Sequence, residues 1–337
     1  MAFQSSIQQL KEYYSLPYSS MESMVILKNR SDIGGANRGS DMGIDALEVA
    51  AINAENDFFN RLPYTEIDTH NETVYNKVHN TFAKRIEFVT QQCLRVKIAV
   101  ENTLKNNQFP LVLSGDHSSA IGTIAGIKSA YPNKNIGVIW IDAHGDLHTP
   151  WSSPSGNIHG MAMAAALGLE NNRHPKNRVS NQTINYWMKL KGLGGTSPMI
   201  NPRNLIYFGI RSIEPEEKLL IEQEKIVCFP VHEVRCRSIK ECLREATNQL
   251  SSVDFIYVSF DVDALDSDLV SDGTGTPVSK GFDAQEMIDL IKGFFKTKMV
   301  IALEICEVNP LLDTKGNSMA DSTFEIINQI FPKSGCS

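Results

Sequence analysis

The sequence predicts a doubly wound α/β domain, with a parallel sheet of about eight strands between layers of helices. Three observations point there. Runs such as 136–141 (IGVIWI) and 255–260 (FIYVSF) are apolar at consecutive positions, the pattern of a strand covered on both faces. Longer stretches between the runs carry apolar residues at the 3.6-residue period of a helix. No Pro/Ser-rich or low-complexity tract separates the halves, so residues 1–337 are read as one domain.

In chain order, strands are expected at Met24–Leu27, Tyr64–Asp68, Pro110–Ser114, Ile136–Ile141, Leu205–Ile210, Ile226–Phe229, Phe255–Phe260 and Val300–Ile305. The clearest helices are expected at Val78–Asn106, Ser238–Leu250 and Ala284–Phe295, with a last one over Ala320–Ile330. Residues 170–203 break the rhythm: polar, rich in Asn and Gly and poor in pattern, they read as an insertion running over the surface. Their GLGGTS comes close to a dinucleotide-binding fingerprint, but the third glycine is missing and no strand precedes it.

Charge and cysteine usage narrow the partners. Lys+Arg number 32 against 39 Asp+Glu, a net charge of −7 with no basic stripe, so neither nucleic acid nor an anionic membrane is expected. No apolar run approaches the ~18–20 residues that span a bilayer. The N-terminal MAFQSSIQQLKEYYSLPYSS is amphipathic and polar, without the apolar core of a signal peptide. The cysteines Cys93, Cys228, Cys236, Cys242, Cys306 and Cys336 are scattered, which reads as thiols in a reducing compartment. A cytoplasmic location is expected, and the sequons at Asn29, Asn71 and Asn181 are then chance matches.

In open α/β sheets ligands bind beyond the carboxyl ends of the strands. There the chain places Asp116 and His117, then Asp142, His144, Asp146 and His148, then Asp261, Asp263 and Asp266, and finally Glu304 and Glu307. Crowded carboxylates need a cation: at ~4 Å and an effective dielectric near 20, each like-charge pair costs on the order of 4 kcal/mol. The spacings D-x-H-x-D and D-x-D put alternate side chains on one side of an extended chain. Mostly oxygen donors with a minority of imidazole point to Mn(II) or another oxygen-tolerant divalent ion, not to a thiolate-rich structural zinc. A calcium loop is a poor fit for DVDALDSD, whose sixth position is Asp266 where glycine is needed.

Five stretches together, LSGDHSSAIGT, WIDAHGDLHTP, SPSGNIHGMAMAAALG, SFDVDALDSDLVSDGTGTP and ALEICEVNP, resemble the ureohydrolase family, and within it the arginases most closely. The similarity runs in order from about Val25 to the C-terminus and is weakest over 170–203. It implies a three-layer α/β/α sandwich around a mostly parallel eight-stranded sheet and two Mn(II) ions per subunit, with Co(II) or Fe(II) fitting the same ligands. By motif matching, His117, Asp142, Asp146 and Asp261 hold one ion, and Asp142, His144, Asp261 and Asp263 the other. Ions ~3.5–4 Å apart share a water and lower its pKa, giving a hydroxide that attacks a guanidinium carbon.

The same resemblance implies roles for further residues. His159 of SGNIHG is the proton shuttle, Glu307 of EVNP orients the guanidinium, and Asp146 counts among the catalytic residues as well as the ligands. Ser155, Asn157, His148, Glu214, Glu217 and Thr276 stand at substrate-binding positions. Two of these depart from the family pattern: His148 where Asn is usual, and Glu214 where an Asp engages the α-amino group. L-arginine, hydrolysed to L-ornithine and urea, is the substrate expected; another guanidino compound such as agmatine or 4-guanidinobutyrate is the alternative. A homo-oligomer, trimer or hexamer, is also implied.

Overall fold

Eight strands form at or near the expected positions: β1 (Met24–Asn29), β2 (Tyr64–Glu66), β3 (Phe109–Ser114), β4 (Ile136–Ile141), β5 (Leu205–Phe208), β6 (Val227–Phe229), β7 (Phe255–Asp261) and β8 (Val300–Cys306). The computed structural model describes residues 23–170 and 175–333. The amphipathic N-terminal stretch, residues 171–174 and residues 334–337, with Cys336, lie outside them. The strands make one eight-stranded sheet in the order β2-β1-β3-β8-β7-β4-β5-β6. Every strand pairing is parallel.

The period of two along each strand sends side chains to two separate cores. Ile139, Ile141, Val258, Phe260 and Ile305 join one core; it is completed by helices α1 (Gly43–Asn53), α8 (Val231–Arg237), α9 (Ile239–Gln249), α10 (Ala284–Phe295) and α11 (Ser318–Ile330). Val138, Trp140, Tyr257 and Ala302 join the other; it is completed by α3 (Ile86–Lys105), α4 (Ala120–Ala130), α5 (Ala162–Ala166) and α6 (Asn181–Lys191). α2 (Phe58–Arg61) adds Phe58 to the first core, and α7 (Pro215–Glu224) adds Leu220 to the second. The layers are therefore helix, sheet, helix, as expected.

One expected helix starts later than read, one forms where expected, and one lay unrecognised. The helix expected over Val78–Asn106 begins at Ile86, because Arg85 takes a left-handed conformation (φ 56). The apolar residues before it face inward for another reason: Lys84 N donates to Gly156 O at 2.7 Å, tying this stretch to a loop beside the candidate site. The helix expected over Ser238–Leu250 forms as α9, with Ser238 and Leu250 as its caps, and Ser238, at φ 86, separates it from α8. Residues 170–203, read as a patternless excursion, carry α6, whose Trp187 and Leu190 are buried against α3 and α5. A helix with only one buried side shows few apolar residues, and the surrounding Asn and Gly masked it.

Candidate metal centre and substrate pocket

β3, β8, β7 and β4 are the four central strands, so their carboxyl ends lie side by side. His117 follows β3 in a short turn, Asp142 follows β4, Asp261 ends β7 and Glu307 follows β8. His117 Nδ1 lies 3.1 Å from Asp142 Oδ2, 3.3 Å from Asp146 Oδ2 and 3.1 Å from Asp261 Oδ2. His144 Nδ1 lies 2.9 Å from Asp263 Oδ2 and 3.5 Å from Asp142 Oδ1. The six candidate ligands thus converge, and Asp142 faces both imidazoles.

Neighbouring groups fix the orientation of these side chains. Trp140 Nε1 donates to Asp142 Oδ2 at 2.9 Å, and the Trp140 ring stacks on His117 with centroids 3.9 Å apart. Ala143 N and Thr276 Oγ1 donate to Asp263 at 3.1 Å each. His117 Nε2 meets Ser259 Oγ at 2.7 Å. In the neutral tautomer with its proton on Nε2, the form that metal ligation requires, Nδ1 turns its lone pair toward the three carboxylates, and this buried atom has no hydrogen-bond partner. A buried nitrogen lone pair aimed at anionic oxygens is the arrangement a shared cation resolves, so the donor set fits divalent ions.

The electrostatics agree. Burial first, and Asp142 next, push Asp146 up to about 7. Burial and neighbouring carboxylates likewise raise Asp261 and Asp263. Asp142 goes the other way, because the flanking His117 and His144 outweigh burial and hold it below the usual carboxylate range. Like charges crowded out of water explain the three raised carboxylates, and the two flanking imidazoles the lowered one.

A cavity of about 250 Å³ opens onto this cluster, with His144, Asp146, Asp261 and Asp263 at its floor and Ser155, His148, Glu214 and Glu217 around it. His159 lines it too, and its Nδ1 is 3.0 Å from Glu307 Oε1, which also accepts from His117 N at 3.0 Å. Burial opposes charge on His159, yet Glu307 outweighs it and raises the imidazole to about 9. Glu307 itself is 3% exposed and sits behind His159. His148 Nε2 lies 3.1 Å from Glu214 Oε2.

Two of the expected substrate contacts have other tasks. Glu217 accepts from Leu147 N and from Glu214 N, both at 3.0 Å, as the capping box of α7. Asn157 turns its Oδ1 to Lys84 Nζ at 3.0 Å, while its N–H donates to Ser155 Oγ at 3.2 Å. Gly156 between them has φ +73, and a Cβ there would stand 2.0 Å from Thr81 O, so only glycine lets the loop approach this closely. Glu304 points away from the cluster and accepts from Ser114, Ser119 and Tyr257 hydroxyls at 2.6–2.8 Å.

Sequence reasoning missed several supporting residues. Arg211 donates to the carbonyls of Gly209, Asp263, Leu265, Val278 and Ser279, pinning the wall that carries Asp263. Ser259, Ser212 and the Gly34 backbone, whose carbonyl accepts from His159 N at 3.1 Å, gave no local signal because their partners lie far along the chain, and Trp140, two residues before its partner Asp142, read only as part of an apolar strand. Cys306 was read only as one of the scattered thiols, yet it adjoins Asp261.

Comparison with known proteins follows the same line. A family model described as the arginase family matches residues 22–331. An arginase from Bacillus caldovelox is 33% identical over 318 residues, covering 92% of this chain and 98% of that protein. The solved structure of Bacillus caldovelox arginase matches with a TM-score of 0.80 at 30% identity, over 94% of this chain and 100% of that one. An Entamoeba histolytica arginase solved in complex with L-ornithine matches with a TM-score of 0.78 at 27% identity, over 93% of this chain and all 100% of that one.

Proposed function

The chain belongs to the arginase family, and from that premise we propose that it hydrolyses L-arginine to L-ornithine and urea at a centre of two Mn(II) ions. It is a hydrolase of the guanidino C–N bond by family. His117, Asp142, Asp146 and Asp261 would hold one ion, and Asp142, His144, Asp261 and Asp263 the other. When bound, such a pair supplies Lewis acidity that makes a water nucleophilic near neutral pH.

The remaining work falls to the protein's own side chains. A guanidinium stays protonated below pH ~12 and needs an anion to orient it. Glu307 spends Oε1 on His117 N and His159, so Oε2 is the atom for that contact. His159, with its proton held by Glu307, stands in the cavity wall to protonate the departing amine. At the other end, Ser155 and His148 offer donors to an α-carboxylate, and the half-exposed Glu214 offers an anion to an α-ammonium. Thr276 steadies Asp263 from the cavity wall.

The observation carrying this reading is that one cavity joins a carboxylate–imidazole floor to a rim bearing both an imidazole and carboxylates. Such a space suits a ligand with a cationic reacting end and a zwitterionic far end. The likeness to a protein solved with L-ornithine supports the same substrate class. One observation favours a second reading: His148 faces Glu214 at 3.1 Å. A carboxylate already engaged by a neighbouring imidazole would admit a guanidino acid lacking the α-ammonium. Urea release from L-arginine, agmatine and 4-guanidinobutyrate, compared on the Mn-loaded protein, decides. Preference for L-arginine is expected; equal or greater turnover of either analogue would transfer the assignment to it.

A further inference from the structure

The β8 wall of the metal centre carries a donor of a different kind from the six candidate ligands. Cys306 ends β8 and pairs in register with Asp261 at the end of β7. Residues side by side on neighbouring strands share a face of the sheet. Cys306 Sγ lies 4.0 Å from Asp261 Oδ2, and its other polar neighbour is Phe260 O at 3.8 Å. Sγ, a ring nitrogen of His117 and a carboxylate oxygen of Asp261 all lie within 4.8 Å of one another, and all three residues are buried. The same cluster holds a buried polar atom without a partner. His117 Nδ1 belongs to a side chain only 1% exposed, lacks a hydrogen-bond partner, and faces Asp261 Oδ2 at 3.1 Å.

We infer that Cys306, His117 and Asp261 form a site for a thiophilic divalent cation, of the class of Co(II), Zn(II) and Cd(II), on the sheet side of the metal centre. One sulfur, one imidazole nitrogen and one carboxylate oxygen are the mixed donors that borderline ions take, whereas Mn(II) favours oxygen. On binding, the thiol releases its proton to solvent and the thiolate becomes the ligand, so the event is an exchange of a proton for a metal bond with no redox change. His117 and Asp261 belong also to the carboxylate-rich set. A soft ion drawn toward Cys306 therefore competes with the ion that those residues would hold for hydrolysis. The inference rests on the metal-centre reading above but not on the identity of the substrate.

The test is cobalt loading of the metal-stripped full-length protein, followed by near-ultraviolet spectroscopy with metal content measured in parallel. The native chain is expected to show a thiolate-to-cobalt charge-transfer band. Cys306→Ser and Cys306→Val should both lose it, and their preference for Zn(II) over Mn(II) should fall by about 10–100-fold. A thiol serving only as a small buried apolar group predicts lower thermal stability in the variants with no band in any form. Two results overturn the site: no band in cobalt-saturated native protein, or a band that persists in a folded Cys306 variant. Should both variants fail to fold, the native spectrum still decides by the presence or absence of the band. Urea release by Mn-loaded native protein is scored separately. A band without ureohydrolysis defeats the proposed function and leaves this site standing; ureohydrolysis without a band defeats the site alone.

Discussion

His148 Nε2 and Glu214 Oε2 face each other at 3.1 Å where the cavity meets solvent, Glu214 being 48% exposed at its side chain and His148 10%. Both side chains are longer than the Asn and Asp that the family pattern would place there, so the two departures meet in one contact. A paired exchange of this kind is read by a double-mutant cycle. Each of His148→Asn and Glu214→Asp alone is expected to raise KM for L-arginine about tenfold, and the double change to recover most of it, a coupling of about 2.7 kcal/mol. Strict additivity of the two effects would show that the residues act independently.

His159 and Glu307 set the alkaline limb of the reaction's pH profile. His159→Ala is expected to lower kcat by roughly 10²–10⁴-fold with metal content intact. As a proton donor His159 must be charged, so activity should fall as pH rises through its pKa, raised to about 9 because Glu307 outweighs burial. Glu307→Gln removes that support, and the alkaline limb should shift toward the ordinary imidazole value of about 6.5. A pH–rate profile measures the limb, and one that stays in place in Glu307→Gln would exclude the pairing as its source.

Asp142 touches both imidazoles, His117 through Oδ2 and His144 on the side of Oδ1. Asp142→Asn is therefore expected to abolish binding of both ions and all urea release, whereas Asp146→Asn, which faces His117 alone, should retain one ion. Metal analysis of the dialysed variants checks this. Full manganese in Asp142→Asn would refute the bridging role.

Metal uptake should be coupled to proton release. In the cluster, burial and Asp142 push Asp146 up to about 7. His117 and His144 are raised well above the ordinary value, burial being outweighed by surrounding acidic groups. Those protons must leave before the groups can ligate, so affinity should rise with pH and drop steeply as pH falls through 7. Calorimetry of Mn(II) binding in buffers of different ionisation enthalpy counts the protons; a count of zero at neutral pH would contradict the raised values.

Much of this molecule was legible along the chain. Continuous apolar runs located β4 and β7 because a parallel strand must be buried on both faces, and that requirement leaves no choice of residue type. The D-x-H-x-D and D-x-D spacings located the candidate ligands because alternate residues at a strand end share a side. Helix starts were less legible. Phe82, Ala83 and Ile86 fit one helical stripe, yet Arg85 turns left-handed so that Lys84 can bind the loop at Gly156, a contact between residues 72 positions apart. No local pattern encodes that choice.

The sequence by itself determined which donors exist and that they cap strands: six acids and imidazoles, a histidine in a glycine-flanked loop, and an anion two residues after an isoleucine strand. Only the tertiary structure decided which of them meet. His117, Asp142, Asp261 and Cys306 come from β3, β4, β7 and β8, two pairs of strands far apart along the chain, and they become neighbours because the sheet runs β3-β8-β7-β4 at its centre. Hydrophobic burial sets that order by fitting two helix layers to two faces, and the order in turn sets the ångström distances between charges. That is why His148 with Glu214, and Cys306 with His117, could be seen in no other way.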